Sequence, residues 1–444
     1  MKRLYKVAIM NYPLMDPKIQ TEDWKSYFGL DQPTVSSWKT PLYIHIPFCA
    51  KICNFCVYSR QVPHDNNIIQ RYVNGLIREI MLYGSSPYVQ SLTIDAIFIG
   101  GGTPTCLSSE QIGQLLHACR DYLPLSEDVE ISIECNTTNA DEEKIHRLHE
   151  EKVSRISAGI QTFNPSYRKL LGLQASEESV AEWIQMVDRY KFDSLAIDLM
   201  YGLPGQNIEE WLEDIAIGLS LPVRHFSMYE LYIIAGSKMY NKMIKGLIQP
   251  AATEEVLFEM YIKGNKMLLD RGYERTILPE FHQAGLHADY WKLSYDGYGD
   301  NLAVGASSYG FINGMTYQNA TEVNTYLKQV ESGDFPISMC SGRAGLKQMM
   351  ERTMVLALRR GYVEPDVFRA EYGVDINDVF GEIINSLIHE GLLFYDGERY
   401  HLTTQGEYVQ GDVSVRFMES TFRNVSSLKK QLSIGSHVVP ATIS

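Results

Sequence analysis

The sequence is poor in cysteine and in basic residues, and it has no long apolar run. Its 444 residues include seven cysteines, and 40 basic residues are outnumbered by 54 acidic ones, for a net charge of -14. Such a charge repels phosphate backbones, so nucleic acid is not an expected partner. No stretch approaches the roughly 20 apolar residues of a membrane helix, and Pro13 and Pro17 interrupt the N-terminal apolar run, so no signal peptide is expected. We therefore expect a soluble, cytoplasmic protein with no membrane partner.

The remaining composition is that of a folded globular chain. Hydrophobic residues make up 45% of it and charged residues 21%, which excludes disorder, collagen-like repeats and a small disulfide scaffold as descriptions of the whole. An odd number of cysteines without an export signal also argues against a disulfide framework. Cys49, Cys53 and Cys56 fall within eight residues of each other, and this crowding indicates metal ligation.

From residue 41 onward, short β-branched runs alternate with longer helical patterns. Strands are predicted at 42–46, 94–99, 129–134, 155–160, 194–199 and 224–229. Helices are predicted near 66–83, 108–121, 141–151, 176–190, 207–219 and 254–271. Six strand–helix pairs in a row predict an α/β fold with a parallel sheet and right-handed crossovers, either an open doubly wound sheet or a partial barrel.

Chemically informative residues come where these strands end. The cysteine loop follows the first strand and Gly100–Pro104 follows the second, while Glu134, Gln161, Asp198 and Glu230 stand at the ends of the third to sixth strands. The C-terminal ends of parallel strands share one rim, which is the binding face of such folds. The sequence therefore predicts a single site at this rim.

The chain divides into five predicted segments. Residues 1–40 are an irregular lead-in over the active site, 41–272 form the barrel, and 273–342 are a glycine- and tyrosine-rich stretch that continues the sheet or covers the substrate. Residues 343–412 contain helices followed by a hairpin at Asp396-Gly397, which resembles a small winged-helix α+β unit. Residues 413–444 are expected to be a loosely held tail.

The cysteine spacing, Cys49-x3-Cys53-x2-Cys56, lies in the loop directly after the first strand. Three thiolates can ligate three irons of a [4Fe-4S] cluster and leave the fourth iron open to a substrate or cofactor. Tetrahedral zinc with His45 or His64 as a fourth ligand is the alternative.

Several separated blocks resemble one known family. They are PLYIHIPFCAKICNFCVYS, IGGGTPT, RISAGIQTFNP, IDLMYGLPGQ and GASSYGFINGMTYQN. Together they resemble the radical S-adenosylmethionine (SAM) enzymes, in the branch similar to oxygen-independent coproporphyrinogen oxidase, over residues 40–410. The resemblance implies a partial (β/α)6 TIM-type barrel with a C-terminal extension. It also implies a [4Fe-4S] cluster held by Cys49, Cys53 and Cys56, with SAM chelating the open iron and being cleaved to a 5'-deoxyadenosyl radical.

The same resemblance assigns nine positions to SAM: Tyr43, Phe55, Gly100, Gly101, Gly102, Thr103, Glu134, Gln161 and Asp198. The glycine segment would hold the methionyl amino group, Phe55 would pack near the adenine and Asp198 would meet the ribose hydroxyls. From the residues alone, the glycines could form only a tight turn, Tyr43 could be core, and Glu134 could form a salt bridge at the rim.

Three further positions concern which residues of the site carry positive charge. Arg155 and Arg168 are expected to be structural. Leu173 stands about where the family often has an arginine, so the resemblance does not explain how this chain holds a carboxylate of the cofactor or substrate.

Several reactions occur on this scaffold. One group binds two SAM molecules, cleaves one and uses the other to add a methylene unit to an unsaturated or aromatic carbon; a haem-degrading member methylates and opens the tetrapyrrole ring. The INGMTYQN block and the long middle region resemble this group most. We therefore predict methyl transfer from a second SAM to an sp2 carbon of a planar conjugated substrate, a heteroaromatic natural product or a tetrapyrrole.

A tyrosine-rich cap could stack on such a ring, unless its aromatics are ordinary core and lid residues. It comprises Tyr290, Trp291, Tyr295, Tyr298, Tyr309 and Tyr317. The alternatives to methyl transfer are decarboxylation of coproporphyrinogen and haem trafficking with a vestigial cluster. An electron donor such as flavodoxin or ferredoxin is the expected protein partner.

Overall fold

A computed structural model describes residues 11–418 except Pro17, Gln20, Glu22, Val57, Ala235, Gly236 and His287. Its main sheet has nine strands in the order β7-β8-β6-β5-β4-β3-β2-β1-β9. The bounds of these strands and of the helices are given below in chain order.

The first half of the chain contains the six predicted strand–helix pairs. A short helix, α1 (Trp24–Tyr27), precedes the strands. The strands are β1 (Thr40–Ile46), β2 (Ile94–Gly101), β3 (Leu125–Cys135), β4 (Arg155–Gln161), β5 (Ser194–Tyr201) and β6 (His225–Glu230). The helices are α2 (Asn66–Gly84), α3 (Pro87–Gln90), α4 (Ser109–Tyr122), α5 (Glu142–Glu150), α6 (Pro165–Leu171), α7 (Glu177–Asp188), α8 (Ile208–Ser220), α9 (Lys238–Ile244) and α10 (Glu254–Leu269).

Strands β1 to β6 are parallel and lie side by side in the order of the chain. A doubly wound sheet would reverse its strand order at a switch point. The unbroken order therefore selects the partial (β/α)6 barrel from the two predicted architectures. Local signals support its helices: the Ser108 side chain accepts from the Gln111 N–H in a capping box at the start of α4, and Ser176 caps α7.

The stretch from 273 to 342 extends the barrel sheet at both edges. Continuing the sheet was one of the two roles predicted for it. Strands β7 (Tyr273–Ile277) and β8 (Glu280–Gln283) add to β6 as an antiparallel hairpin, whereas β9 (Leu302–Val304) pairs in parallel with β1. Helix α11 (Asp289–Ser294) contacts β1, β2 and β3. A second, antiparallel sheet follows, made of β10 (Tyr309–Ile312), β11 (Met315–Asn319) and β12 (Ile337–Cys340), with α12 (Val323–Ser332) packed on α2.

The C-terminal part has an apolar core of its own that includes Phe368, Phe380 and Ile384. Its elements are α13 (Leu346–Ala357), β13 (Tyr362–Val363), α14 (Pro365–Tyr372), α15 (Ile376–His389), β14 (Leu393–Tyr395), β15 (Tyr400–Leu402), α16 (Thr404–Tyr408) and α17 (Gln410–Val415). Strands β14 and β15 form the expected hairpin, in which Asp396 accepts from the backbone N–H groups of Glu398 and Arg399.

The ends of the described chain are packed. Val413 and Phe417 are buried in the C-terminal core and Met418 in a neighbouring cluster, so residues 413–418 belong to this unit rather than to a loose tail; the rest of the predicted tail lies outside the described residues. At the other end, Trp24 and Phe28 stack on each other, and the edge of Phe28 meets Tyr317 of the second sheet. Among the described helices, none combines the length and apolar character needed to cross a bilayer.

Candidate active site

The strand register places the predicted polar residues on one face of the barrel sheet. Glu134 pairs with Ser157, and Asp198 pairs with Gly159 two residues further along β4. Side chains alternate along a strand, so these residues share a face with Arg155, while the intervening isoleucines pack under the helices. We call this face the lumen; it carries Glu130, Glu134, Arg155, Asp198 and Glu280.

The cysteine loop lies at the C-terminal end of β1 and is tied to its neighbours. Cys49 is buried, and Cys53 and Cys56 are half-buried. The Asn54 backbone and side-chain N–H groups donate to the carbonyls of Leu171 and Leu170, both at 2.9 Å. Arg60 donates to the carbonyls of Cys56 and Tyr58. Asn54 and Arg60 therefore fix the loop, and sequence reasoning missed both.

The surroundings of the cysteine loop bear on the zinc alternative. Within the described part of the chain, no three His, Cys, Asp or Glu side chains come close enough together to hold one metal ion. Both ring nitrogens of His45 are engaged, Nδ1 with the Tyr43 hydroxyl at 3.0 Å and Nε2 with the Ser59 carbonyl at 3.1 Å. His64 is exposed. The zinc alternative therefore gains no fourth ligand from either predicted histidine.

The thiols are arranged for deprotonation only when a metal group is present. Burial raises the pKa of Cys49 to about 11 and raises the pKa of Cys53 and Cys56, while the positive charge of Arg60 counters the rise in the last two. Ligation of iron by these thiolates would therefore release protons. The Thr103 hydroxyl faces Cys49 Sγ at 3.5 Å, which couples the glycine segment to the cysteine loop.

The glycines at the end of β2 and just after it allow three close approaches inside the protein. A Cβ on Gly101, whose φ is +116°, would lie 2.5 Å from the His45 ring, and one on Gly102 would lie 2.6 Å from the Phe48 carbonyl. A Cβ on Gly100 would lie 2.7 Å from the Phe98 ring. Packing against β1 and its loop thus explains Gly101 and Gly102, and the Phe98 ring explains Gly100. The contact with the methionyl amino group stays a prediction.

Glu134, Gln161 and Asp198 line the rim as the sequence predicted. Burial raises the pKa of Glu134 to about 7, while one hydrogen bond, from the Gly101 N–H at 3.0 Å, opposes the rise. Gln161 is buried, takes a left-handed φ of +69° and accepts from the Tyr229 hydroxyl at 2.7 Å. A non-glycine residue in this conformation is strained and is typical of a functional position. Burial raises the pKa of Asp198 well above its usual value.

Phe55 and Leu173 belong to one apolar cluster beside the cysteine loop. They are half-buried and pack with Tyr229, Ile233 and Ile248 against a buried group that includes Met200 and Leu203. We call these five half-buried side chains the apolar wall. Leu173 completes this wall, so the position where a guanidinium was expected presents hydrocarbon instead.

The predicted tyrosine-rich cap is only partly formed. Tyr290 and Trp291 pack on Phe98, with ring centroids 4.9 and 5.0 Å away. Tyr317 follows the alternative of an ordinary core residue, because it is fully buried in the main core and exchanges hydrogen bonds with the backbone of Ala303. Tyr298 stacks on Trp38 at 4.6 Å. The six aromatics therefore do not form one exposed surface.

Deeper in the lumen lies a polar group that the sequence did not indicate. The His225 Nε2 lies 2.5 Å from Glu280 Oε2, and the Ser227 hydroxyl donates to Glu280 Oε1 at 2.9 Å. Glu280 comes from β8, which was not predicted as a strand, so only the fold brings it to His225. Arg168, by contrast, is structural as expected, because it donates to the carbonyls of Ile160, Thr162 and Ala175.

Comparisons with known proteins agree with this arrangement. Residues 43–216 match the model of the Radical SAM superfamily. The chain is 30% identical to the haem chaperone HemW of Lactococcus lactis over 85% of its length and 96% of that protein, and 28% identical to anaerobilin synthase of Escherichia coli O157:H7 over 72% of each chain.

Among solved structures, the coproporphyrinogen III oxidase HemN of Escherichia coli superimposes with a TM-score of 0.77 over 94% of this chain and 96% of that one, at 20% identity. This likeness covers the extensions as well as the barrel and establishes the fold. Membership of the superfamily implies a [4Fe-4S] cluster and SAM, for which the cysteine loop and the rim are suited. The chain belongs to the HemN-like branch of the radical SAM superfamily.

Proposed function

We propose that this protein transfers a methyl or methylene unit from a second SAM molecule to an sp2 carbon of a planar conjugated substrate, with a tetrapyrrole as the favoured class. When bound, the cluster and the first SAM supply radical chemistry that removes a hydrogen atom. The roles of the chain are to hold both cofactors, to orient the ring and to exclude water from the reacting atoms.

The observation that carries the proposal is the division of the rim into two groups of polar residues. Glu134 and the glycine segment lie on β2 and β3, whereas Gln161 and Asp198 lie on β4 and β5 with the Tyr229 hydroxyl from β6. Neighbouring strands are about 4.8 Å apart, so Glu134 and Asp198, two strands apart, stand roughly 10 Å from each other across the sheet. A polar rim of this width supports one SAM molecule lying across Glu134 and Asp198 with the second SAM bound beside it.

The apolar wall supports a flat, apolar substrate. Its two aromatic rings, Phe55 and Tyr229, and three aliphatic side chains are half-buried at the edge of the cysteine loop. A conjugated ring packs there at little entropic cost, because the buried cluster behind the wall already holds the side chains of the wall in place. Leu173 in this wall is better suited to a ring face than to a carboxylate.

The base of the lumen is closed, which favours radical chemistry. Tyr290 and Trp291 pack on Phe98, and the Tyr43 ring lies 6.4 Å from Tyr290. These aromatics exclude water below the rim, so a reactive carbon-centred species is protected from solvent on that side.

Haem carriage is a second candidate, favoured by the relatives described as haem chaperones. HemW of Lactococcus lactis and HemW of Bacillus subtilis are matched over 96% and 98% of their lengths but over only 85% of this chain. The match to anaerobilin synthase instead covers the same share of both chains, 72%. The following experiment therefore includes haem carriage as one of its outcomes.

The test is anaerobic reconstitution with iron and sulfide, followed by incubation with haem, methyl-deuterated SAM and dithionite. The proposal predicts 5'-deoxyadenosine, S-adenosylhomocysteine and a deuterium-labelled tetrapyrrole. In a parallel incubation with coproporphyrinogen in place of haem, release of carbon dioxide without S-adenosylhomocysteine would establish decarboxylation instead. Tight haem binding with neither nucleoside product would establish carriage.

A pair of cysteine variants tests the metal centre itself. Cys53→Ala is expected to lose the brown chromophore and all 5'-deoxyadenosine, because one iron loses its ligand. Cys119→Ala is the matched control, since Cys119 is a fully buried cysteine within α4; it is expected to keep the iron content and the cleavage. Full iron content in Cys53→Ala would contradict the ligand assignment.

A further inference from the structure

Arg155 is a buried cation in the lumen, below the rim. It begins β4, where it pairs with Ser132 of β3 and Ser194 of β5. Alternation along β3 and β4 places its side chain on the same face as Glu134 and Asp198. The residue is 2% exposed, so bulk water does not solvate its charge.

The guanidinium of Arg155 lacks the hydrogen bonds that such burial demands. Its Nε and Nη1 donate to no acceptor among the described residues, and Nη2 forms an ion pair with Glu280 Oε2 at 3.8 Å, which is beyond hydrogen-bond distance. Glu280 already accepts from His225 and Ser227. A buried donor without an acceptor is destabilising, so these N–H groups are available to acceptors that the described side chains do not supply.

The groups that need a buried cation are the lumen carboxylates. Burial raises the pKa of three of them, and the charge of Arg155 counters the rise in each; these are Glu130, Glu134 and Asp198. Glu130 accepts from the Asp289 N–H and the Ser132 hydroxyl. Glu134 has the single Gly101 donor, and no hydrogen bond to Asp198 is found among the described residues. The two carboxylates with the fewest partners are thus the two at the rim.

We propose that Arg155 is a positioning residue of the cofactor site, whose guanidinium is linked through buried water to Glu134 and Asp198 and holds them as charged acceptors facing the bound SAM. Buried waters typically bridge such otherwise unsatisfied groups, and the planar fork of arginine can serve two oxygen acceptors at once. The inference rests on the proposed cofactor roles of Glu134 and Asp198 and not on methyl transfer.

The test measures SAM binding by equilibrium dialysis on the cluster-reconstituted protein, without substrate or reductant. Arg155→Gln is expected to weaken SAM binding about tenfold or more, by analogy with the loss of outer-shell partners at metal sites. Arg155→Lys keeps the charge but not the fork, so it is expected to recover part of the affinity. Iron content is measured in parallel and is expected to stay at the wild-type level.

Arg352→Gln is the matched control for burial. Arg352 is also buried with Nε and Nη1 lacking partners, but it stacks on Phe311 at 3.8 Å, outside the lumen. It is expected to leave SAM affinity within about twofold of wild type. An equal loss in Arg352→Gln and Arg155→Gln would show a general effect of removing a buried arginine and would overturn the proposal.

A double-mutant cycle with Glu134→Gln tests the positioning role of Arg155 separately from the cofactor role of Glu134. If Arg155 acts through Glu134, the losses in the single variants are not additive, and Arg155→Gln adds little once Glu134 is neutral. Additive losses would overturn the positioning role. If the Glu134→Gln single variant binds SAM like wild type, the proposed cofactor role of Glu134 is wrong. If Glu134→Gln weakens SAM binding but Arg155→Gln does not, the cofactor role of Glu134 stands and the inference on Arg155 is wrong. Should Arg155→Gln not fold, Arg155→Lys replaces it in the cycle.

Discussion

Two buried carboxylates in this molecule have similar titration behaviour and different surroundings. Glu79, on α2, meets the sheet extension, whereas Glu134 lies at the rim of the lumen. Burial raises the pKa of each to about 7. Glu79 accepts three hydrogen bonds, from the Gly305 N–H at 2.8 Å, the Asn319 amide at 2.6 Å and the Tyr326 hydroxyl at 2.7 Å. Glu134 accepts one.

The difference separates a structural carboxylate from one available to a ligand. At the junction of α2 with the extension, donors from three other segments surround Glu79, so it holds those segments together. At the rim, most of the acceptor capacity of Glu134 is not used by the protein. A raised pKa alone does not distinguish the two roles; the number of donors does.

The largest expected effect is a loss of stability when the carboxylate of Glu79, which accepts three hydrogen bonds, is removed. Glu79→Ala leaves the Gly305 N–H and the Tyr326 hydroxyl without an acceptor, while the Asn319 amide keeps two others. We expect a loss of about 3–5 kcal/mol in the free energy of unfolding. Urea unfolding followed by circular dichroism measures it. Glu134→Ala leaves one donor unpaired and is expected to cost about 1–2 kcal/mol.

The control for the first prediction is an ion pair at the surface that also links α2 with α12. Glu331 of α12 pairs with Arg71 of α2 through two contacts of 2.6 Å. Exposed pairs contribute little, so Glu331→Ala is expected to change stability far less than Glu79→Ala. Equal costs for Glu79→Ala and Glu134→Ala would contradict the distinction drawn from donor number.

The second prediction concerns pH. The pKa of Glu79 is about 7 in the folded protein against an ordinary value of 4.5, so the folded state binds the proton more tightly. The resulting stabilisation is complete below about pH 4.5 and is lost as pH rises through 7. Between pH 5.5 and 8.5, the stability of wild type is expected to fall by about 2 kcal/mol relative to Glu79→Gln.

Urea unfolding of both proteins at several pH values measures this difference. Glu331→Gln is the control, since its hydrogen bond with Arg71 lowers the pKa of Glu331 and keeps it ionised over this range. A stability difference between wild type and Glu79→Gln that does not vary with pH would show that Glu79 stays ionised in the folded protein.

The smallest effects are expected from two tyrosine hydroxyls, one in each region. Tyr326→Phe removes one of the three donors to Glu79 and is expected to cost about 1 kcal/mol of stability. Tyr229→Phe removes the donor to Gln161 and is expected to leave stability nearly unchanged while weakening SAM binding a few-fold. Urea unfolding measures the stability of both variants, and equilibrium dialysis measures their SAM affinity. A stability loss in Tyr229→Phe but not in Tyr326→Phe would contradict a structural role for the Glu79 region and a ligand-binding role for the rim.

Much of the barrel was predictable because its signals are local. The alternation of β-branched runs with capped helices gave all six strands and their helices, and the hairpin turn at Asp396-Gly397 located β14 and β15. Short strands without such signals were missed. Glu280 illustrates this, since β8 has only four residues and it pairs with residues of β6 that lie 53 to 57 positions away along the chain.

The sequence by itself determined the cysteine loop, the succession of strands and helices along the chain and the set of polar residues at the strand ends, because periodicity, capping and turn preferences act between near neighbours. Only the tertiary structure decided how many partners each buried charge receives. It surrounded Glu79 with three donors, left Arg155 facing carboxylates from other strands, and buried Tyr317 in the core. Burial and hydrogen bonding join residues far apart in the chain, and no local pattern encodes those distances.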